Sequence, residues 1–68
     1  MVVREQTTDR YGRPLTAGAR VRTVGEEGQP EGTVVRVVGD YGVVSVLLEQ
    51  KTGKTERMYP AAEVEVLP

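Results

Sequence analysis

The sequence predicts an all-β fold: a small five-stranded barrel with a single 3₁₀ turn before the last strand. Three observations lead there. Phe, Trp and Ile are absent, so the large apolar residues are mostly Val and Leu, and Val is stiff at χ1 and favours strands. Gly, Pro and Asp punctuate the chain every few residues in turn-forming combinations. No window shows the 3.6-residue apolar period of a helix.

Residues 1–17 form an N-terminal arm and residues 18–68 the barrel domain. Within the arm, Val2 and Val3 can start a short strand, and "DRYGRP" (Asp9 to Pro14) is a turn. Asp bonds nearby backbone there, and Gly12 is free to take positive φ. "GARVRTV" (Gly18 to Val24) is the first strand, with Val21 alternating against Arg20 and Arg22. "GEEGQPEG" (Gly25 to Gly32) is a loop. "TVVRVVGDYGVVSVLLEQ" (Thr33 to Gln50) reads as two strands joined at Gly39-Asp40, a hairpin signal. "KTGK" turns the chain into a fourth strand, "TERMY" (Thr55 to Tyr59). "PAAE" (Pro60 to Glu63) is the 3₁₀ turn, opened by a proline that lacks an N–H and fixes φ. "VEVL" (Val64 to Leu67) closes the fold.

The long hairpin departs from simple alternation. Val34, Val35, Val37 and Val38 flank Arg36, and Val43, Val44, Val46, Leu47 and Leu48 flank Ser45. With Arg36 and Ser45 outward, Val35, Val37, Val44, Val46 and Leu48 face the core. Val34, Val38, Val43 and Leu47 then form an outer apolar patch, the mark of a partner surface. The competing expectation is that barrel coiling buries part of both faces, or that a bulge flips the register.

A long loop after the first strand, two hairpins, a single helical turn and a short last strand resemble an SH3-like barrel. Gly32-x-Val34 ahead of a hairpin is similar to the start of a KOW or Tudor-type segment. A more specific resemblance covers residues 18–67. Gly18, Arg20, Val21 and Arg22 in "GxRVR", then Gly32 and Val35, then Tyr59, Pro60, Ala62 and Glu65 in "YPxAxxE" resemble the plasmid-borne type II dihydrofolate reductases. Those are SH3-like barrels that assemble as tetramers around one active-site pore. The resemblance implies a pore strand at Glu56, Arg57, Met58 and Tyr59, and an NADPH cofactor. Tyr59 matches that family, and Met58 replaces its isoleucine. Glu56 and Arg57 depart from its valine and glutamine, and Thr23 stands at its pore lysine. Four copies of Arg57 around one axis would gather like charges in a partly desolvated pore, a cost of several kcal/mol each.

The composition excludes much chemistry. The 68 residues contain no Cys and no His, which removes disulfides, the usual zinc sets and the commonest general base. No metal site is expected. The formal net charge of −1 argues against affinity built on neutralising many phosphates. No transmembrane run or signal peptide is visible, so a cytoplasmic protein with no membrane partner is expected. The core is thin for so short a chain, and oligomerisation is an ordinary remedy. With only three tyrosines as aromatics, the chain lacks the aromatic floor of a polyproline-binding SH3 groove.

The candidate ligand-binding residues are Arg57, Met58, Tyr59 and Thr23. Val34, Val38, Val43 and Leu47 are the candidate interface. Arg20, Arg22 and Arg36 are a candidate basic strip, set against a solvated face interrupted by Glu49 and Glu56. Tyr59 also fits a structural tyrosine that caps the barrel with its ring and bonds through its hydroxyl. No catalytic residue is assigned, and no carboxylate pair has a partner that makes it an acid/base couple. The expected function is a self-associating SH3-like binding or assembly module for protein or nucleic acid, without a cofactor. The alternative is an NADPH-dependent enzyme of the type II dihydrofolate reductase kind, or a relative with a changed ligand.

Overall fold

A computed structural model of the chain describes residues 7–68, so the expectation of a strand at Val2 and Val3 lies outside the described residues. Five antiparallel strands run in order: β1 (Arg20–Thr23), β2 (Glu31–Val38), β3 (Val43–Gln50), β4 (Gly53–Pro60) and β5 (Val64–Val66). They form one sheet in the order β4-β3-β2-β1-β5. The fold is all-β, and its sheet is consistent with an SH3-like fold, but the sheet is not closed into a barrel.

The reason for the open sheet lies at its two edges. β5 has only three residues, and the arm has taken its free side. The Arg10 N–H donates to the Val64 carbonyl at 3.1 Å, and the Val66 N–H donates to the Asp9 carboxylate at 2.8 Å. β4 therefore finds no partner there and remains an eight-residue edge. Its residues Gly53 to Met58 are exposed.

The expected 3₁₀ turn before the last strand is present at Ala61–Glu63. Its Ala61 N–H donates to the Gly42 carbonyl at 2.8 Å, which carries the β3–β4 ladder one step past the Val43–Pro60 pair. A second 3₁₀ turn, Gly39–Tyr41, replaces the expected tight turn at Gly39-Asp40. The left-handed residue that the connection needs is Gly42, at φ +64°, and glycine takes that conformation without steric cost.

The β2–β3 register corrects the face assignment of the valines. It runs through Val34↔Val46 and then Arg36↔Ser45, with a bulge between Val34 and Arg36. Such a bulge inserts one unpaired residue and reverses the side-chain parity beyond it. Val34 is therefore buried (1% exposed) and Val35 is exposed (43%), the opposite of the expected assignment. Val34 accordingly leaves the outer patch. Ser45 stays on the outer face but is covered, at 4% exposure.

The core comprises Val21, Val34, Val44, Val46, Leu48, Tyr59, Ala61 and Val64, with Leu15 of the arm packed among them. Each buried Val or Leu contributes about 1.5–3 kcal/mol, so Leu15 makes the arm part of the folded unit. The turn preceding Leu15 is held by Asp9, whose carboxylate accepts the Tyr11 and Arg13 N–H groups at 2.9 and 2.8 Å. Gly12 lies at φ +81° in the same turn.

Candidate functional site

Two faces of the sheet carry different chemistry, because successive strand side chains point to opposite sides. On the inner face, Tyr59 pairs across to Val44 and Arg57 to Val46. The long β1–β2 connection brings Glu26 to meet both. Its turns are fixed by N–H donation from Glu26 to the Thr23 carbonyl (3.3 Å) and from Gln29 to the Glu26 carbonyl (3.1 Å). The Tyr59 hydroxyl donates to Glu26 Oε1 at 3.1 Å. The Arg57 guanidinium approaches the same oxygen at 3.5 Å. Burial pushes the Tyr59 phenol up from its ordinary pKa, and the Glu26 carboxylate beside it adds to the rise while Arg57 works against it. Tyr59 is thus a neutral donor near neutral pH, spent on a structural bond.

The candidate ligand residues do not converge. Arg57 and Tyr59 share a face, and Glu26 occupies both. Met58 points to the opposite face, where it is 59% exposed. Thr23 is fully buried. Its N–H (2.9 Å) and its Oγ1 (2.8 Å) both donate to the Pro30 carbonyl, which closes the base of the loop that carries Glu26. Glu26 is the residue of this group that sequence reasoning missed as a partner. It lies 33 positions from Tyr59, and no local pattern links residues so far apart.

The outer face is a grid set by the strand registers. Across β2, β3 and β4 its rows are Val38–Val43–Pro60, Arg36–Ser45–Met58 and Thr33–Leu47–Glu56. Val38, Val43 and Leu47 are half-buried, and Pro60 and Met58 are exposed. Ser45 Oγ hydrogen-bonds the Glu56 carboxylate within this grid. Three of the four candidate interface residues therefore lie together here, joined by Met58.

The candidate basic strip is largely neutralised. Arg20 meets Glu49 at 3.0 Å, and Arg22 lies between Glu31 (3.7 Å) and Glu65 (3.5 Å). Exposed pairs of this kind contribute about 0–1 kcal/mol each, so their main effect is to cancel the field of the strip. Arg36 is exposed and has no ion pair among the described residues.

An open recess of about 450 Å³ lies where the arm meets the hairpin end, lined by Thr7, Thr8, Asp9, Gly39, Gly42, Ala61 and Ala62. None of the candidate site residues lines it. Among the described residues no group of three or more carboxylates is placed to hold a metal ion, and no helix is long and apolar enough to cross a membrane. Comparison with protein-family models, curated proteins and solved structures finds no match to this chain.

Proposed function

We propose that the chain is a small SH3-like binding and assembly module that associates with a second copy of itself through the outer face of β2, β3 and β4. The observation that carries this reading is Met58. It is 59% exposed on an uncovered edge strand, beside the half-buried Val38, Val43 and Leu47. A two-fold pairing uses the same patch on both copies. Arg36 and Glu56 flank the apolar positions on this face, and in a two-fold arrangement they supply opposite charges at the rim. Covering the patch also adds apolar burial to a chain whose own core is small.

Sedimentation equilibrium over a range of concentrations tests the reading. A concentration-dependent dimer or higher oligomer is expected, and Met58→Glu is expected to weaken it at least tenfold, as for a central interface residue. A wild-type monomer at the highest soluble concentration would overturn it.

The enzyme reading, a relative of the type II dihydrofolate reductases using NADPH, requires Arg57, Met58 and Tyr59 to line one pore. The alternation of β4 and the claim of Glu26 on Arg57 and Tyr59 both weigh against that arrangement. NADPH oxidation in the presence of dihydrofolate is expected to stay at background. Turnover that disappears in Tyr59→Phe would reverse this order of readings.

A further inference from the structure

The turn from Asp9 to Arg13 sets two guanidiniums close to one exposed aromatic ring. The guanidinium of Arg10 lies 5.4 Å from the Tyr11 ring centroid, and that of Arg13 lies 5.5 Å from it. Tyr11 is 59% exposed and contributes nothing to the core. Among the described residues neither arginine is within ion-pair distance of a carboxylate. The nearest acid in sequence, Asp9, is committed to the backbone N–H groups of Tyr11, Arg13 and Val66.

The turn is also rigid. The Asp9 N–H donates to the Arg13 carbonyl at 2.8 Å, the Gly12 N–H donates to the Asp9 carbonyl at 3.1 Å, and Thr8 bridges to Pro14. The Arg13 guanidinium is anchored on the Val66 carbonyl at 2.6 Å. The ring and the anchored Arg13 guanidinium stand on a fixed backbone and lose little conformational freedom when a ligand arrives. The Arg10 guanidinium, with no hydrogen bond among the described residues, is free to turn from the ring to a phosphate. The open recess that starts at Asp9 adjoins this turn.

We propose that the Arg10–Tyr11–Arg13 turn binds single-stranded nucleic acid, with a base stacked on Tyr11 and its flanking phosphates on Arg10 and Arg13. An exposed ring flanked by arginines is a stacking platform. Only an unpaired base presents a free π-face to it, because a duplex hides that face in its own stack. An acidic peptide would satisfy the arginines but leave the ring unused. The near-neutral net charge limits the contact to a few phosphates. For two phosphates on a single strand the logarithmic salt slope is about −1.4, so binding is weak and local.

Fluorescence anisotropy of the full chain with labelled oligothymidylate, oligouridylate and a matched duplex, from low to physiological salt, tests the proposal. Both single strands are expected to bind in preference to the duplex. Tyr11→Ala should weaken binding about tenfold or more, while Tyr11→Phe retains it. Arg10→Ala should weaken binding and reduce the salt slope by about 0.7. Tyr11 and Arg10 are exposed, so unchanged circular dichroism is expected of these variants. Met58→Glu should leave binding intact, which separates this surface from the self-association patch. Equal affinity for both single strands supports recognition of base and phosphate alone. A preference for oligouridylate supports the same surface, with the 2′-hydroxyl reaching Thr7 or Thr8. No binding at low salt, equal binding of the duplex, an unaffected Tyr11→Ala variant, or equal competition by polyglutamate would each overturn it.

Discussion

At Gly32 the backbones of β2 and β3 pass so close that no side chain fits between them. A methyl group there would run into the Leu47 carbonyl oxygen and lie 2.8 Å from Val46 Cγ1. The neighbour is backbone in a central strand, which cannot swing aside as a flexible side chain can. Gly32→Ala is therefore expected to destabilise the fold by about 3 kcal/mol, the upper range of overpacking costs. Urea denaturation followed by circular dichroism measures this, and a loss below about 1 kcal/mol would show that the strands separate easily. Gly32 stands out in the sequence as the start of a KOW-like segment, but its requirement is steric.

The β2 bulge governs how the hairpin divides its valines. Val34 packs against the Val46 side of the core, and Val35 is left in solvent as the extra residue of the bulge. Val34→Ala is expected to cost about 2 kcal/mol through lost burial and a residual cavity. In a domain of this size that lowers the melting temperature by roughly 10 °C. Val35→Ala, one residue along and identical in chemistry, is expected to change stability by less than about 0.5 kcal/mol. Calorimetry on the pair checks the register directly, and equal losses would contradict the bulge. The two edge strands contrast in the same way. The arm protects the short β5, whereas β4 is left open with Lys54, Glu56 and Arg57 along it. Edge charges of this kind discourage uncontrolled strand addition, and Met58 just beyond them remains available for a specific partner.

For the whole molecule, Asp9 is the residue that joins arm to sheet. Burial acts to raise its pKa, but the N–H donors of Val66, Arg13 and Tyr11 and the Arg13 charge outweigh it and hold the carboxyl below its ordinary value. A carboxyl depressed in the folded state stabilises fully above its unfolded pKa of about 3.9. It loses that contribution as pH falls through the lower folded value. Stability is thus expected to drop as the pH goes below about 4, and Asp9→Asn should flatten that part of the profile. At neutral pH Asp9→Asn should cost about 1.5–3 kcal/mol, the range for hydrogen bonds to a charged group. Acid titration of wild type and variant, followed by circular dichroism, makes the comparison. Parallel profiles would mean that other carboxylates govern acid unfolding.

The sequence by itself determined the class of the fold and most of its punctuation. Val-rich runs between Gly, Pro and Asp turns specify strands, because their propensities and positive-φ needs are local. Pro60 opening a single turn before the last strand is local for the same reason. The turn at Asp9 is likewise legible, since an Asp side chain bonds its own neighbourhood. Alternation about Ser45 and Arg36 placed Val44, Val46, Leu48 and Val37 inward, as they are. Tertiary structure alone decided that Val34 and not Val35 faces inward, because valine occupies both positions and only packing against β3 places the bulge. It also decided that the sheet stays open, because the arm reaches the β5 edge across more than fifty residues of sequence. The candidate site divided along the same line. Arg57 and Tyr59 are legible as candidate residues, but Glu26, which claims them both, is brought there by the long β1–β2 connection, a contact between residues distant in sequence.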